Sequence, residues 1–345
     1  MSTPRSLELP DRVRSGTIKT SRGTFAALEA RPARGVCERW PAVLLPGFTG
    51  SKEDFLPVLQ SLAASGRRVV AVDMRGQYES QEAPDLDGYR PDSLAADVTA
   101  IVARIADGEA GVHLLGHSFG GLVARDAMLA GPAAIGSLTL LGSGPARIGG
   151  VRAEILRATL AWLDAGTEPG IADRDRLRRS IEQLWDERLG PQAEADGVPG
   201  NIIAFLRRRT LRNCPLGLIA MGSYLLNCPD RTAELAELRS ARFLVVYGEN
   251  DDAWPPPVQD AMARRLRAQR VCIPGAAHSP AVEAPETTAG TLTAFWNEAE
   301  RTELRLRTGA GRQSGPAAAT ASAATSAATP ATASAAAADP PPGPG

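Results

Sequence analysis

The sequence predicts an α/β protein with a mostly parallel central β-sheet and helices on both of its faces. Short apolar runs of four or five residues alternate with longer segments in which apolar residues recur at helical spacing. Glycine, proline and polar residues separate these segments, and a serine flanked by glycines, Ser118, follows one of the short runs. This alternation is typical of sheets in which helices connect successive parallel strands.

The elements follow in chain order from these patterns. Residues 12–19 and 24–29 form a predicted hairpin with its turn at Ser21, Arg22 and Gly23. The short apolar runs that follow are the predicted buried strands, at 42–45, 69–72, 112–115, 138–141, 243–247 and 271–273. The amphipathic segments are the predicted helices, at 54–64, 93–105, 121–129, 258–268 and 285–304.

The alternation is interrupted between residues 148 and 239, where we find no strand pattern. Glycine and proline separate helical stretches there, near 151–165, 173–189, 201–211 and 216–226. We interpret this segment as a helical cap inserted over the carboxyl edge of the sheet, because the strand–helix pattern resumes after it. An independent helical domain is the alternative. The predicted organisation is a core in two parts, 1–147 and 240–308, the cap at 148–239, and an Ala/Pro/Ser/Thr-rich tail at 309–345 that we expect to be disordered.

Composition narrows the classes of partner. The chain has 345 residues, of which 43% are hydrophobic, enough for a full core. A net charge of −1 and a pI near 6.4 give no indication of nucleic acid or an anionic membrane as partner. The 4 cysteines form no C-x-x-C pair, so we expect no metal cluster, no disulfide scaffold and no cofactor.

The same sequence carries no uninterrupted apolar run long enough to span a bilayer. Residues 1–14 mix charges and prolines and lack the apolar segment of a signal peptide. We therefore expect a cytoplasmic protein.

The strongest chemical signal is the run at residues 116–120, Gly-His-Ser-Phe-Gly, between a predicted strand and a predicted helix. A nucleophile elbow requires this strand–turn–helix context, with Ser118 in a strained backbone conformation that exposes its hydroxyl. Side chains at 116 or 120 would collide with the turn, which accounts for both glycines. Main-chain N–H groups of the first helical turn then point towards the nucleophile.

A serine hydroxyl needs a base and an orienting carboxylate to act as a nucleophile. Of the 3 histidines, His113 lies inside a strand and His117 in the elbow with its ring directed away from the hydroxyl. His278 follows the last short strand, in a loop at the sheet edge, and is the predicted base. The carboxylate comes from the loop after Tyr247, where Glu249, Asp251 and Asp252 are available and strand-end placement favours the two aspartates.

Several other polar residues have less specific patterns. Asp73 ends an earlier strand and is interpreted as a turn residue that anchors Arg75 or the local backbone. The run of three arginines at 207–209 is interpreted as a solvated helix face rather than an anion site. Trp254, beside the acid loop, either lines the pocket or packs against the cap. The apolar residues of the cap are expected mostly in its core, among them Leu160, Trp162, Leu163, Trp185, Phe205 and Leu225.

From about residue 13 to residue 305 the chain resembles the α/β-hydrolase superfamily. The resemblance rests on Gly-His-Ser-Phe-Gly-Gly at 116–121, Asp-Met-Arg-Gly at 73–76, Gly-Glu-Asn-Asp at 248–251 and Gly-Ala-Ala-His-Ser at 275–279. The loop Pro-Gly-Phe-Thr-Gly-Ser at 46–51 also matches, in a form that resembles uncharacterised bacterial members. The chain order serine, acid, histidine is the order of that fold.

The resemblance implies particular roles. In the family the acid falls three residues after a strand-ending glycine, with a proline four further on, which selects Asp251 before Pro255 and leaves Asp252 in reserve. It also implies an oxyanion hole made by the N–H groups of Phe119 and Phe48. The family's usual His-Gly is Pro46-Gly47 here, so a side chain that often braces this loop is missing.

A serine in the elbow, rather than an aspartate, implies esterase, lipase, thioesterase, peptidase or acyl-transfer chemistry on a small ester-like substrate. We rank hydrolysis of a carboxylic ester first, through Ser118, His278 and Asp251. Thioester hydrolysis, acyl transfer and perhydrolysis on the same three residues are alternatives. A non-catalytic small-molecule-binding protein on the same scaffold is the alternative from a different class.

Overall fold

Strands and helices alternate along the chain as the sequence predicts. The computed structural model describes residues 2–33, 39–108, 110–131, 134–164, 174–238 and 241–313. Its strands are β1 (Val13–Thr20), β2 (Gly23–Ala30), β3 (Arg39–Leu45), β4 (Arg67–Val72), β5 (Val112–His117), β6 (Ile135–Leu141), β7 (Arg242–Gly248) and β8 (Gln269–Ile273).

The helices occupy the connections between these strands. They are α1 (Leu56–Ala64), α2 (Pro91–Ala106), α3 (Phe119–Leu129), α4 (Gly150–Asp164), α5 (Arg174–Leu184), α6 (Gly190–Ala195), α7 (Gly200–Arg212), α8 (Pro215–Asn227), α9 (Thr232–Ala236), α10 (Pro256–Leu266), α11 (Pro280–Glu283) and α12 (Pro285–Gln313). Short 3-10 helices at Lys52–Phe55 and Leu86–Tyr89 complete the loops after β3 and β4.

All these strands form one sheet in the order β1-β2-β4-β3-β5-β6-β7-β8. Strand β2 is antiparallel to both β1 and β4, and every pair from β4 to β8 is parallel. Parallel neighbours need crossover connections, which the helices provide. The predicted fold class, a mostly parallel sheet with helices on both faces, is confirmed.

The strand side chains alternate between two apolar layers. Val43 and Leu45 of β3 pack in the layer formed with α2, α3 and α10, whereas Ala42 and Leu44 pack in the layer formed with α1 and α12. This period-2 alternation between two covered faces explains why β3 is apolar at every position from Ala42 to Leu45.

Every element of secondary structure in the described residues between β6 and β7 is a helix, from α4 to α9. The single helix expected at 173–189 is wrong in detail, because α5 passes through one π-helical turn at Trp185–Leu189 directly into α6. Gly190 and Pro191 were expected to end the helix, but proline is tolerated in the first turn of a new helix and so does not break it here. Helix α9 was not predicted. The cap boundaries 148–239 stay a prediction.

Residues Met1–Glu303 form one unit and Leu304–Gly345 a second. Helix α12 continues to Gln313, beyond the predicted end at residue 304 and into the predicted tail. Residues 314–345 of that tail lie outside the described residues, as does Cys37.

Candidate active site

The candidate nucleophile lies at the junction of β5 and α3. Ser118 has φ 55° and ψ −121°, a conformation that L-residues rarely adopt, and its N–H donates to the carbonyl of Leu141 on β6 at 2.9 Å. A Cβ at Gly116 would overlap the backbone of Gly120, and a Cβ at Gly120 would overlap the backbone of Pro46. The collisions expected from the glycine spacing are therefore present.

The loop after β8 brings His278 against this serine. Its Nε2 lies 2.9 Å from Ser118 Oγ and its Nδ1 lies 3.0 Å from Asp251 Oδ1. The three side chains, predicted from distant segments, thus form one hydrogen-bonded row. The side chain of His278 is 13% exposed and that of Asp251 is fully buried, whereas Ser118 is 7% exposed.

The loop after β7 places Asp251, which the resemblance selected, and Asp252, which it left in reserve, in different surroundings. Asp251 is buried, and its Oδ1 also accepts from the N–H groups of Ala253 (3.0 Å) and Trp254 (3.4 Å). Its Oδ2 accepts from Gln259 Nε2 at 2.9 Å. Asp252 instead has a side chain that is 63% exposed and pairs with Arg152 at 2.6 Å. Only Asp251 contacts His278.

Two further residues, whose part in the site the sequence analysis did not identify, hold the histidine loop. His117 points away from the serine hydroxyl, as expected, and its Nε2 hydrogen-bonds the carbonyl oxygen of His278 at 2.8 Å. Burial, with a smaller effect of His278, lowers the pKa of His117 to about 3, so the ring is neutral and donates through Nε2. Glu283 of α11 accepts from the N–H groups of Ala277 and Ser279 on either side of His278.

The loop between β3 and α1 runs beside the serine. A Cβ at Gly47 would lie 3.3 Å from Ser118 Cβ, which places this loop in contact with the elbow. The Phe48 ring packs edge-on against the Phe119 ring, with centroids 6.3 Å apart. Gln77 Nε2 donates to the carbonyl oxygens of Gly47 (2.8 Å) and Phe48 (3.1 Å). Position 46 is a proline rather than the family's usual histidine. The loop is held instead by hydrogen bonds from Gln77, which lies in the loop after β4.

A small apolar cavity of about 60 Å³ lies next to this loop. Phe48 and Thr49 form one side of it, and Leu160, Leu163 and Leu218 of the helical segment form the other. Of the six apolar residues singled out in the predicted cap, these first two leucines line the cavity. Trp185 and Phe205 pack in a separate cluster, Leu225 in the main core and Trp162 against a smaller cluster.

Trp254 packs between the acid loop and the loop after β6. It is buried, its Nε1 donates to the carbonyl of Ala146 at 3.0 Å, and its ring lies 6.3 Å from the His278 ring. It rests on Gly144, where a Cβ would overlap the indole. Trp254 is not among the residues that line the cavity beside Phe48.

Two expectations about charged residues are corrected in part. Asp73 does not anchor Arg75, which pairs with Asp97. It does hold the local backbone, because its Oδ2 accepts from the N–H of Glu79 at 3.3 Å, and it also accepts from the backbone and side chain of buried Lys52, at 2.7 and 2.9 Å. The arginine run at 207–209 is not uniformly solvated, because Arg209 is fully buried.

Arg209 joins α7 to Asp54, which lies in the 3-10 helix that follows the Phe48 loop. It donates to Asp54 Oδ1 at 2.8 Å and to the carbonyl of Ser2 at 2.6 Å. Burial raises the pKa of Asp54, and the arginine opposes that rise. Arg207 is exposed, as expected, and pairs with Glu182 at 3.3 Å. Arg207 and Arg209 are two residues apart, so they face different sides of the helix. A run of three identical residues in the sequence does not reveal this difference.

Within the described ranges, no group of three or more His, Cys, Asp or Glu side chains is placed to hold a metal ion. In the same ranges no helix is both long and apolar enough to cross a membrane.

Comparisons of the sequence and of the structure with known proteins point to the same family. Residues 42–291 match the model of the alpha/beta hydrolase family. The chain is 38% identical over 125 residues, 36% of its own length, to a protein of Variovorax paradoxus named "Putative carbamate hydrolase RutD". That match spans 46% of the relative, less than half its length.

Two other similarities cover most of both chains. The chain is 29% identical over 255 residues to the pimeloyl-[acyl-carrier protein] methyl ester esterase of Neisseria meningitidis. The aligned residues are 73% of this chain and 91% of that protein. A thermophilic esterase from Thermogutta terrifontis superposes with a TM-score of 0.62 at 23% identity, over 83% of this chain and 99% of that one. With the family model matching well over half of its residues, the chain belongs to the alpha/beta hydrolase family, and its relatives include hydrolases and esterases.

Proposed function

We propose that this protein is a serine hydrolase that cleaves a carboxylic ester, or a related acyl bond, of a small molecule through Ser118, His278 and Asp251. One observation carries the proposal. The imidazole of His278 lies between the Ser118 hydroxyl at 2.9 Å and the Asp251 carboxylate at 3.0 Å. These are the contacts that a base needs to accept the serine proton while a carboxylate orients it.

The contacts of Asp251 favour one protonation pattern in the row. Its Oδ1 accepts from His278 Nδ1, which leaves the Nε2 lone pair directed at Ser118 Oγ. As Oγ attacks the acyl carbon, its proton moves to Nε2, and the imidazolium then protonates the departing alcohol. Water then enters and its oxygen attacks the acyl carbon while Nε2 takes its proton; the bond from Ser118 Oγ to the acyl carbon breaks, the acid leaves, and Nε2 returns the proton to Oγ.

The oxyanion of each tetrahedral intermediate would accept hydrogen bonds from the N–H groups of Phe119 and Phe48. Phe119 is the first residue of α3, so its N–H has no partner within the helix. Within the described part of the chain, the N–H of Phe48 donates no hydrogen bond. Two preorganised donors of this kind are worth about 100- to 1000-fold each in turnover.

The cavity beside Phe48 supports a short apolar acyl group as the substrate's reacting part. Its volume is about 60 Å³, and its walls are mainly leucine, isoleucine and phenylalanine side chains. Apolar walls select by size through burial of methylene groups, at about 0.8 kcal/mol each. We therefore expect activity to peak at short chains.

The test is a series of p-nitrophenyl esters from acetate to octanoate, with burst and steady-state rates measured for the wild type, Ser118→Ala and Ser223→Ala. Ser223 is an exposed serine on α8 and serves as the matched control. We expect a burst in the wild type and the control, none in Ser118→Ala, and falling kcat/KM beyond about four acyl carbons. Turnover that survives in Ser118→Ala would refute the proposal. Stoichiometric binding without turnover in the wild type would favour the binding-protein alternative.

A further inference from the structure

Gln77 lies outside the Ser118–His278–Asp251 row but contacts the loop that runs beside Ser118. It follows β4, in the loop that starts with Asp73, and is 2% exposed. Its Nε2 donates to the carbonyls of Gly47 and Phe48, at 2.8 and 3.1 Å, and its Oε1 accepts from the N–H of Met74 at 3.0 Å. Both amide hydrogens and the oxygen are therefore used.

This arrangement fixes the orientation of the amide. In the reversed orientation the oxygen of Gln77 would face two carbonyl oxygens, and the NH₂ group would face the N–H donor of Met74. Such contacts would leave several buried polar groups unpaired, which is costly. The side chain of Gln77 thus donates both amide hydrogens to the loop at 46–51.

The contact with Gly47 bears on chemistry because a peptide unit is planar and trans. The carbonyl of Gly47 and the N–H of Phe48 belong to the same peptide unit and point in opposite directions. Holding the carbonyl oxygen at Gln77 Nε2 therefore sets the direction of the Phe48 N–H, the donor assigned above to the oxyanion hole. The loop lies against the nucleophile, since a Cβ at Gly47 would be 3.3 Å from Ser118 Cβ.

The segment that carries Gln77 is itself held from the helical segment. The next residue, Tyr78, has φ 38°, an uncommon conformation for a residue with a side chain. Its N–H donates to Asn213 Oδ1 at 3.2 Å, its hydroxyl accepts from Arg208 at 3.1 Å, and its ring meets Phe205 edge-on. Gln77 is thus anchored to α7 through its neighbour while it holds the oxyanion loop.

We propose that Gln77 is a positioning residue that orients the Phe48 N–H towards the oxyanion. This inference rests on the proposed function. The turn hydrogen bond from Gly50 N to Gly47 O, at 3.1 Å, remains when Gln77 is replaced and holds the same carbonyl in part. The expected loss is therefore about 10- to 100-fold in kcat, below the 100- to 1000-fold of a fully removed donor.

The experiment compares Gln77→Met and Gln77→Glu with the wild type. Methionine keeps the length and removes all the hydrogen bonds, whereas glutamate keeps the size and the acceptor for Met74 but faces the two carbonyls with an oxygen. The control is Gln81→Met, an exposed glutamine of the same loop whose Oε1 accepts from the N–H of Thr24 at 3.2 Å. Melting curves establish that each variant folds, and if Gln77→Met does not, Gln77→Glu carries the same test.

The readout is hydrolysis of p-nitrophenyl acetate and of its thionoester, in which sulfur replaces the carbonyl oxygen. Sulfur is a larger and weaker acceptor, so the thionoester gains little from the oxyanion hole and should lose little when a donor is misplaced. We expect the Gln77 variants to lose about 10- to 100-fold in kcat on the ester, with KM within about threefold, and less than about threefold on the thionoester. Gln81→Met should stay within about twofold on both.

Equal losses on the two substrates would show a general structural role and overturn the inference, as would unchanged rates in folded Gln77 variants. Failure of the proposed function has a different signature, because it is read in the wild type. Without Ser118-dependent turnover there, the proposed function and the inference fail together. With such turnover and unchanged Gln77 variants, only the inference fails.

Discussion

Replacing Asp251 with asparagine should remove the charge behind His278 while leaving the loop folded. The asparagine oxygen can accept from the N–H groups of Ala253 and Trp254 and from His278 Nδ1, as Oδ1 does now. Its NH₂ group then faces Gln259 Nε2. Within the described residues Gln259 Oε1 has no partner, so reversal of that amide relieves the conflict at the expense of its 2.7 Å bond to the Trp254 carbonyl.

The loss in rate follows from the missing charge. With about 4 Å between the centres of charge and an effective dielectric of about 20, a carboxylate stabilises an imidazolium by roughly 4 kcal/mol. That energy corresponds to about a 1000-fold fall in kcat. If the asparagine also held the imidazole in the wrong tautomer, the fall would approach the roughly 10⁴-fold seen for the same change in a serine protease triad.

Asp252→Asn is the matched control, because Asp252 is the neighbouring aspartate, is exposed and pairs with Arg152. Active-site titration with a fluorophosphonate and steady-state hydrolysis of p-nitrophenyl acetate measure the active fraction and kcat separately. We expect Asp252→Asn to keep kcat within about twofold, since surface ion pairs contribute at most about 1 kcal/mol. Near wild-type kcat in Asp251→Asn, or equal losses in both variants, would refute the assignment.

Two predictions concern stability and are measured by urea unfolding. Arg209→Met should lower the free energy of unfolding by about 3–5 kcal/mol, because it leaves the buried carboxylate of Asp54 without its partner. Arg207→Met, in the exposed half of the same run, should change it by less than about 0.5 kcal/mol, and equal effects would contradict the burial argument. Burial lowers the pKa of His113 to about 4, so the folded protein keeps that ring neutral below pH 6.5, where the unfolded chain takes up a proton. The stability from His113 is therefore complete above about pH 6.5 and lost as pH falls towards 4, by up to about 1.4 kcal/mol per pH unit relative to His113→Gln. Parallel pH profiles for the two proteins would contradict this.

Local patterns in the sequence were sufficient for the fold class. Val43 and Leu45 face one apolar layer and Ala42 and Leu44 the other, so a run that is apolar throughout indicates a strand covered on both faces. Gly116 indicated the turn in the same local way, because the collision it avoids is with the backbone of Gly120, whereas the collision avoided at Gly120 is with the backbone of Pro46, far along the chain. The continuation of α5 into α6 was missed because glycine and proline end a helix in some contexts and begin one in others.

For the candidate site, too, some features could be predicted from local sequence patterns and others could not. The sequence by itself predicted Ser118 and His278, since a strained strand-to-helix turn and a histidine in a strand-end loop are recognisable from their neighbours. The resemblance to the family had selected Asp251 over Asp252, but only the tertiary structure placed Asp251 against His278, buried Arg209 and brought Gln77 to the carbonyl of Gly47. Those outcomes depend on which side of a loop or helix faces another segment far along the chain. Spacing within one segment cannot specify that direction, because it is set by packing between segments.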